Sequence, residues 1–110
     1  MRLPGAESAV VPTEKLTGYL LSLAHPVGRS KAVFFRSLGY DETNAELLAT
    51  GLKAVAAGND VAETEATEFG TKYAVEGPLD TPSGVTTTLR TVWMVRSGEV
   101  APRFVTAYPA

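Results

Sequence analysis

A histidine and two basic side chains crowd a short break between two predicted helices. They lie in the stretch His25-Pro26-Val27-Gly28-Arg29-Ser30-Lys31. Backbone N–H groups at a helix start attract anions, and Gly28 eases the turn there, so Arg29 and Lys31 would add charge-assisted hydrogen bonds to a phosphate. Histidine is also the residue type most often used as a general acid or base at neutral pH. The alternative is a solvated helix start in which His25 simply ends the preceding helix.

A second group of polar side chains lies on the last two predicted strands. Alternate residues of a strand share a face, which places Thr106 and Tyr108 on one face together with Phe104. If that face is open, the two hydroxyl groups, with an arginine such as Arg90 or Arg103 nearby, would bind and polarise a phosphate. The alternative is that Phe104 and Tyr108 belong to the core and that Thr106 reflects β-propensity alone.

Composition excludes several other kinds of site. The chain has no cysteine and one histidine, which rules out thiol catalysis, cysteine-ligated zinc and multi-histidine metal sites. No Walker loop, dinucleotide fingerprint or Gly-x-Ser-x-Gly elbow occurs. We therefore expect a site with no metal and no other cofactor. The formal net charge of -2 gives no overall attraction to nucleic acid, so any attraction to RNA has to be local.

Length and hydropathy predict one folded domain over residues 1–110. Hydrophobic residues make up 45% of the chain and charged residues 20%, which is the balance of an average globular protein rather than of a disordered one. The first residues, 1–7, lack the uninterrupted apolar core of a signal peptide, and no stretch approaches the length of a membrane span. We therefore expect no membrane association and a cytoplasmic location.

The first half of the chain predicts two or three helices. One begins at Thr13 and ends before His25, a second runs from Ser30 to a glycine stop at Gly39, and a third follows Asp41. The apolar stripe of the first helix consists of Leu16, Tyr19, Leu20 and Leu23.

The second half alternates in the manner of β-strands. Four such stretches lie at 61–66, 70–76, 85–96 and 103–108. Their short connections favour an antiparallel meander over crossover units. The predicted fold is therefore of the α+β class, with two or three N-terminal helices packed on one four-stranded antiparallel sheet.

Several long phrases of the chain resemble a family of small bacterial proteins known only as a domain of unknown function. The phrases occupy 20–35, 69–73, 81–84, 90–93 and 102–109. They include His-Pro-Val-Gly-Arg-Ser-Lys-Ala and Pro-Arg-Phe-Val-Thr-Ala-Tyr-Pro. The resemblance spans nearly the whole chain but brings no assigned activity. Similar domains look like C-terminal toxin modules of larger secreted bacterial proteins.

The order of helices and sheet is also similar in layout to the barnase, EndoU, colicin D and RelE group of ribonuclease toxins. In that group a Lys or His of the helical segment works with Arg, Ser, Thr or Tyr of the last strands. The resemblance implies metal-independent RNA cleavage, in which a ribose 2′-hydroxyl attacks the adjacent phosphate. It implies His25, Lys31, Arg103, Thr106 and Tyr108 for catalysis, and Gly28, Arg29 and Arg90 for the phosphate.

A protein-binding module is the alternative from another functional class. An immunity or assembly protein would suit the acidic net charge better than a free ribonuclease does. Besides RNA, the expected partner is a protein encoded nearby, of the antitoxin or immunity type. Convergence of the predicted catalytic side chains in one cleft would favour the enzyme, and their dispersal would favour the binding module.

Overall fold

The first helix is shorter than its apolar stripe predicts. In the computed structural model, which describes residues 1–110, helix α1 begins at Thr13–Lys15 and continues as a π-helical turn, Leu16–Leu20. The Leu21 N–H closes that wide turn on the Leu16 carbonyl at 2.8 Å. Leu23 therefore lies outside the helix and is 49% exposed, although the stripe predicted it to be buried.

Two further helices follow where the sequence predicts them. Helix α2 is Arg29–Ser37 and helix α3 is Ala45–Gly58. Gly39 has a φ of 99°, the left-handed conformation expected of a helix stop. The Asp41 side chain forms a capping box with Asn44 over the short turn that precedes α3. None of the helices has the length and apolar character needed to cross a membrane.

Four strands form one sheet in the order β1-β2-β3-β4, and all neighbours are antiparallel. They are β1 Val61–Thr67, β2 Gly70–Asp80, β3 Thr86–Arg96 and β4 Arg103–Pro109. The predicted α+β class, with helices packed on a four-stranded antiparallel meander, is confirmed.

The helices cover the face of the sheet that carries the core aromatic side chains. Trp93 and Phe104 are almost fully buried there, with ring centroids 5.4 Å apart in an edge-to-face pair. The one buried polar side chain, Thr91, donates to the Val75 carbonyl at 2.8 Å and accepts from the Trp93 indole N–H at 2.9 Å. Burial therefore leaves no polar atom of this layer without a partner. The opposite side of the sheet is called the open face below.

A β-bulge in β4 separates side chains that a strict alternation would place together. Two adjacent residues of β3 pair with Phe104 and Thr106, so Val105 is an extra residue between them. Phe104 points into the core, whereas Thr106 and Tyr108 lie on the open face. The prediction that all three share one face is wrong for Phe104, because the bulge shifts the alternation by one residue.

The N-terminal segment covers only the beginning of the β4 edge. The Val10 N–H donates to the Pro102 carbonyl at 2.9 Å, and the Phe104 N–H donates to the Val10 carbonyl at 2.9 Å. Beyond that bridge, side chains of α1 and of its π-helical turn reach the strand. The rest of this edge is therefore where helical and strand side chains meet.

Candidate functional site

Tyr19 lies at the centre of a polar cluster at the β4 edge. Its hydroxyl oxygen is 3.1 Å from Thr106 Oγ1, and its ring packs edge-to-face on the His25 ring with centroids 5.1 Å apart. The ammonium nitrogens of Lys15 and Lys31 lie 5.5 and 5.8 Å from the Tyr19 ring centroid. These five residues are called the Tyr19 cluster. It brings three of the predicted residues, His25, Lys31 and Thr106, around a tyrosine that the sequence did not single out.

The chain positions Tyr19 through a close approach at Gly28. A Cβ at Gly28 would lie 2.6 Å from the Tyr19 carbonyl oxygen and 2.8 Å from its ring atom Cδ1. Only glycine therefore fits here without moving Tyr19. On the other side, Leu16 and Leu20 are buried and fix the turn that presents the ring. The phosphate-binding role of Gly28 stays a prediction, and its visible contact is with Tyr19.

His25 uses one ring nitrogen to hold the turn into α2. Its Nδ1 atom accepts the N–H of Val27 at 3.1 Å and the N–H of Gly28 at 2.9 Å. An Nδ1 that accepts two hydrogen bonds carries no proton, so the ring proton is assigned to Nε2, which is then a donor. The Arg29 N–H is also occupied, since it donates to the His25 carbonyl at 3.0 Å. The N–H groups of Gly28 and Arg29, which we expect to bind an anion at this helix start, therefore already have partners within the chain.

The two lysines of the cluster have no acidic partner. The ion pairs of the chain involve the N-terminal amino group, Arg2, Arg36 and Arg90, but neither Lys15 nor Lys31. Lys15 instead donates to the carbonyl of Val105, the bulge residue, at 3.4 Å. Both lysines are partly buried. Their charges are therefore available to an anionic ligand.

Arg90, in the middle of the open face, is in the opposite situation. It donates through Nη1 to Glu76 Oε2 at 2.7 Å and through Nη2 to Glu63. The hydrogen bond that Arg90 donates to Glu76 raises the pKa of Arg90, and the neighbouring Tyr108 and Glu63 raise it further. Nowhere in the chain do three or more Asp, Glu or His side chains come together at metal-binding spacing. A phosphate at Arg90 would compete with two carboxylates, and the predicted role remains untested.

The remaining predicted residues lie apart from Tyr19. Tyr108 is opposite Arg90 on the open face, and both line a cleft of about 270 Å³ that also reaches Thr106. Arg103 is exposed at the start of β4 and lines a second groove, which it shares with Lys15. Arg29 is exposed at the first turn of α2. The predicted set is thus divided among four places, of which the Tyr19 cluster holds the most members.

Sequence reasoning missed Lys15 and Tyr19. Tyr19 belongs to the apolar stripe of the first predicted helix, and such a stripe indicates packing rather than chemistry. It is nevertheless the one member of that stripe that carries a hydroxyl group, and Lys15 precedes it by one helical turn. These two features are the sequence signal that could have identified Tyr19 and Lys15 as candidate site residues.

Comparison with known proteins agrees with the resemblance seen in the sequence. The family model described as "Domain of unknown function (DUF6883)" matches residues 2–110. The chain belongs to the DUF6883 family. No curated protein matches this DUF6883 sequence. The predicted membership in a family of unknown function is therefore confirmed.

One solved structure has the same fold over nearly the whole DUF6883 chain. It is a chain of a contact-dependent growth inhibition toxin–immunity protein complex from Klebsiella pneumoniae 342. The TM-score is 0.71, the sequence identity is 22%, and the match covers 96% of each chain. At this identity the likeness shows a shared fold.

Proposed function

We propose that this DUF6883 protein is a metal-independent endoribonuclease of the toxin type and that the Tyr19 cluster is its active site. The observation that carries the proposal is the convergence of His25, Lys31 and Thr106, from two separate parts of the chain, on one tyrosine hydroxyl and its ring. Core packing alone does not require two lysines and a histidine around a single tyrosine. Phosphoryl chemistry uses such a set of donors.

Lys15 and Lys31 supply the charge that this reaction needs. A phosphodiester gains negative charge as the attacked phosphorus becomes five-coordinate, and fixed cations near that oxygen stabilise the transition state. No carboxylate neutralises either lysine, so both ammonium groups are free to bind the phosphate. The Nε2–H of His25 adds a neutral hydrogen-bond donor beside them.

Tyr19 is the proposed proton donor to the leaving group. In the reaction the ribose 2′-oxygen forms a bond to phosphorus while the bond from phosphorus to the 5′-oxygen breaks. The 5′-oxygen takes the Tyr19 hydroxyl proton, and the Thr106 hydroxyl, 3.1 Å away, stabilises the phenolate that results. The products are an RNA 2′,3′-cyclic phosphate and a free 5′-hydroxyl.

The proton of the 2′-hydroxyl leaves to solvent in this scheme. The cluster contains no carboxylate, and Nδ1 of His25 is occupied by two backbone N–H groups, so neither supplies a base. The cleavage rate should then rise about tenfold per pH unit while the lysines and Tyr19 remain protonated.

The other predicted residues would contact RNA outside the cluster. Arg103, which lines the same groove as Lys15, would hold a neighbouring phosphate. Arg90 and Tyr108 would contact RNA only after Arg90 separates from its two carboxylates.

The structural comparison supports a toxin-related or immunity-type role. The chain shares its fold with a chain of a toxin–immunity complex, and a toxin that cleaves RNA would act in the cytoplasm of its target. Its local basic cluster, rather than its net charge of -2, would attract the RNA.

The first test is tight induction of the wild-type chain in a bacterial host, with total RNA examined for new fragments. Two variants are induced in parallel. Lys31→Gln removes a charge of the Tyr19 cluster, and the control Lys53→Gln removes an exposed, unpaired charge on α3. We expect growth arrest and RNA fragments from the wild type and Lys53→Gln, and neither from Lys31→Gln. Normal growth and intact RNA with all three, at good soluble expression, would refute the proposal.

An immunity-type binding module is the second candidate. One observation favours it: residues 62–66 of β1 are exposed at the sheet edge and include the acidic Glu63 and Glu65. An unpaired edge of this kind suits addition of a strand from a basic protein partner. The same induction experiment discriminates, because a binding module leaves growth and RNA unchanged in the wild type as well as in Lys31→Gln.

A further inference from the structure

A groove of about 740 Å³ lies beside the Tyr19 cluster and has an excess of positive charge. Its basic side chains are Lys15, Lys72, Arg96 and Arg103. None of the four takes part in an ion pair. Only two carboxylates, Glu14 and Glu99, line the same groove. In a chain whose net charge is negative, this is a local cationic surface with no internal partner.

Phe69 lines this groove, and its ring does not pack in the core. It is 68% exposed at the β1–β2 turn and is not part of the buried core. The turn itself is well fixed: the Phe69 N–H donates to Thr67 Oγ1 at 3.2 Å, and the Ser97 N–H donates to the Phe69 carbonyl at 3.0 Å. The backbone thus holds an aromatic side chain in water at a defined position.

The groove and the Tyr19 cluster are continuous through Lys15. The Lys15 ammonium lies over the Tyr19 ring and bonds to the Val105 carbonyl, and Val105 also lines the groove. Arg96, beside the Phe69 turn, is four residues along β3 from the residue opposite Thr106. That separation corresponds to about 13 Å of strand. A short oligonucleotide can therefore reach both places at once.

We propose that this groove, called the Phe69 groove, binds the single-stranded RNA segment next to the scissile phosphate. One base stacks on the Phe69 ring while the backbone follows Lys72, Arg96 and Arg103 towards Lys15. Cationic grooves with an exposed aromatic side chain are how proteins hold single strands without reading their sequence. The identity of the ligand as RNA rests on the function proposed above.

The test is fluorescence anisotropy with a 5′-fluorescein, fully 2′-O-methylated RNA of about eight nucleotides, which is within the site size of one such module. Methylation blocks the attacking hydroxyl, so binding is measured without cleavage. The variants are Phe69→Ala, Phe69→Trp and, as a matched control, Leu47→Ala, whose side chain is 59% exposed on α3. Phe69→Ala should weaken binding about 5- to 150-fold, whereas Phe69→Trp and Leu47→Ala should bind like the wild type.

The outcome separates this inference from the proposed function. Equal affinity for the wild type and Phe69→Ala, or no binding of the single strand at all, would overturn the inference even if unmodified RNA is cleaved. Phe69-dependent binding by a wild type that leaves unmodified RNA intact would support the groove and refute the ribonuclease.

Discussion

The arginine in the middle of the open face and the lysines at the β4 edge differ in what balances their charge. Arg90, in the middle of the open face, is bonded to Glu63 and Glu76. At the β4 edge, Lys15 and Lys31 share the Tyr19 ring and have no carboxylate. A paired arginine mainly stabilises the pairing of its own strands, whereas unpaired cations retain their charge for a ligand.

The difference follows from where the side chains originate. Glu76 is the cross-strand partner of Arg90, and Glu63 reaches it from β1, so the sheet register itself creates that ion pair. The lysines come from α1 and α2 and approach β4, which presents Thr106 and a bulge carbonyl there but no acid. The two lysines that helices bring to the β4 edge therefore remain without an acidic partner, whereas Arg90, which the sheet register places beside Glu76, does not.

The largest expected effect is that of Tyr19→Phe. Loss of the proton donor should lower the RNA cleavage rate by about 10²- to 10⁴-fold. The free energy of unfolding should change by only about 1 kcal/mol, since one hydrogen bond to Thr106 is lost. The cleavage rate is measured with purified protein and a labelled RNA, and the free energy of unfolding is measured by urea denaturation. Tyr73→Phe is the control, and equal rates for both variants would remove Tyr19 from the active site.

Gly28→Ala should be the next largest effect. The added Cβ would meet the Tyr19 carbonyl oxygen at 2.6 Å, so overpacking should cost about 1–3 kcal/mol of stability and displace the ring. Gly18→Ala is the matched control, because its Cβ would meet nothing within 4 Å. Thermal unfolding followed by circular dichroism compares them. Similar melting temperatures for both variants would contradict the close approach.

Arg90→Gln should mainly lower the stability of the fold, whereas Arg103→Gln should mainly lower the affinity for RNA. Arg90→Gln removes two ion pairs and should cost about 1 kcal/mol of unfolding free energy, with little effect on RNA affinity. Arg103→Gln should leave stability within about 0.5 kcal/mol and weaken binding of the methylated RNA. Denaturant titration and anisotropy are the two measurements. The reverse pattern would mean that Arg90 is the ligand-binding cation.

The smallest expected effect comes from freeing Arg90. In the double variant Glu63→Gln, Glu76→Gln the guanidinium loses both acidic partners and becomes like the unpaired cations at the β4 edge. Affinity for the methylated RNA should rise a few-fold, and the slope of log K against log salt should steepen by about 0.7 for one added phosphate contact. An unchanged slope would show that RNA does not reach the middle of the open face.

Periodicity and turn residues were enough to predict most of the fold. The alternating stretches gave all four strands, and Gly39 and Asp41 marked the end of α2 and the cap before α3. The length of α1 was not predictable in this way, because its π-helical turn leaves the regular 3.6-residue repeat and releases Leu23 into solvent.

Only part of the candidate site was predictable. His25, Lys31 and Thr106 stood out by residue type, and the structure brings them together. Tyr19 did not stand out, because a tyrosine at helical spacing is usually a core residue. The alternation rule also failed at Val105, where the bulge moves Thr106 to the face away from Phe104. The bulge and the contact between Tyr19 and Thr106 are set by tertiary packing, which the local sequence pattern does not specify.

The most direct test of the Tyr19 cluster is the chemical nature of the RNA ends produced by purified protein in excess EDTA. Wild-type protein should yield 2′,3′-cyclic phosphate and 5′-hydroxyl ends, and Lys31→Gln should yield about 10²- to 10³-fold less product in the same time. Intact RNA from the wild type, or equal product from Lys31→Gln, would contradict the assignment of this cluster as a ribonuclease active site.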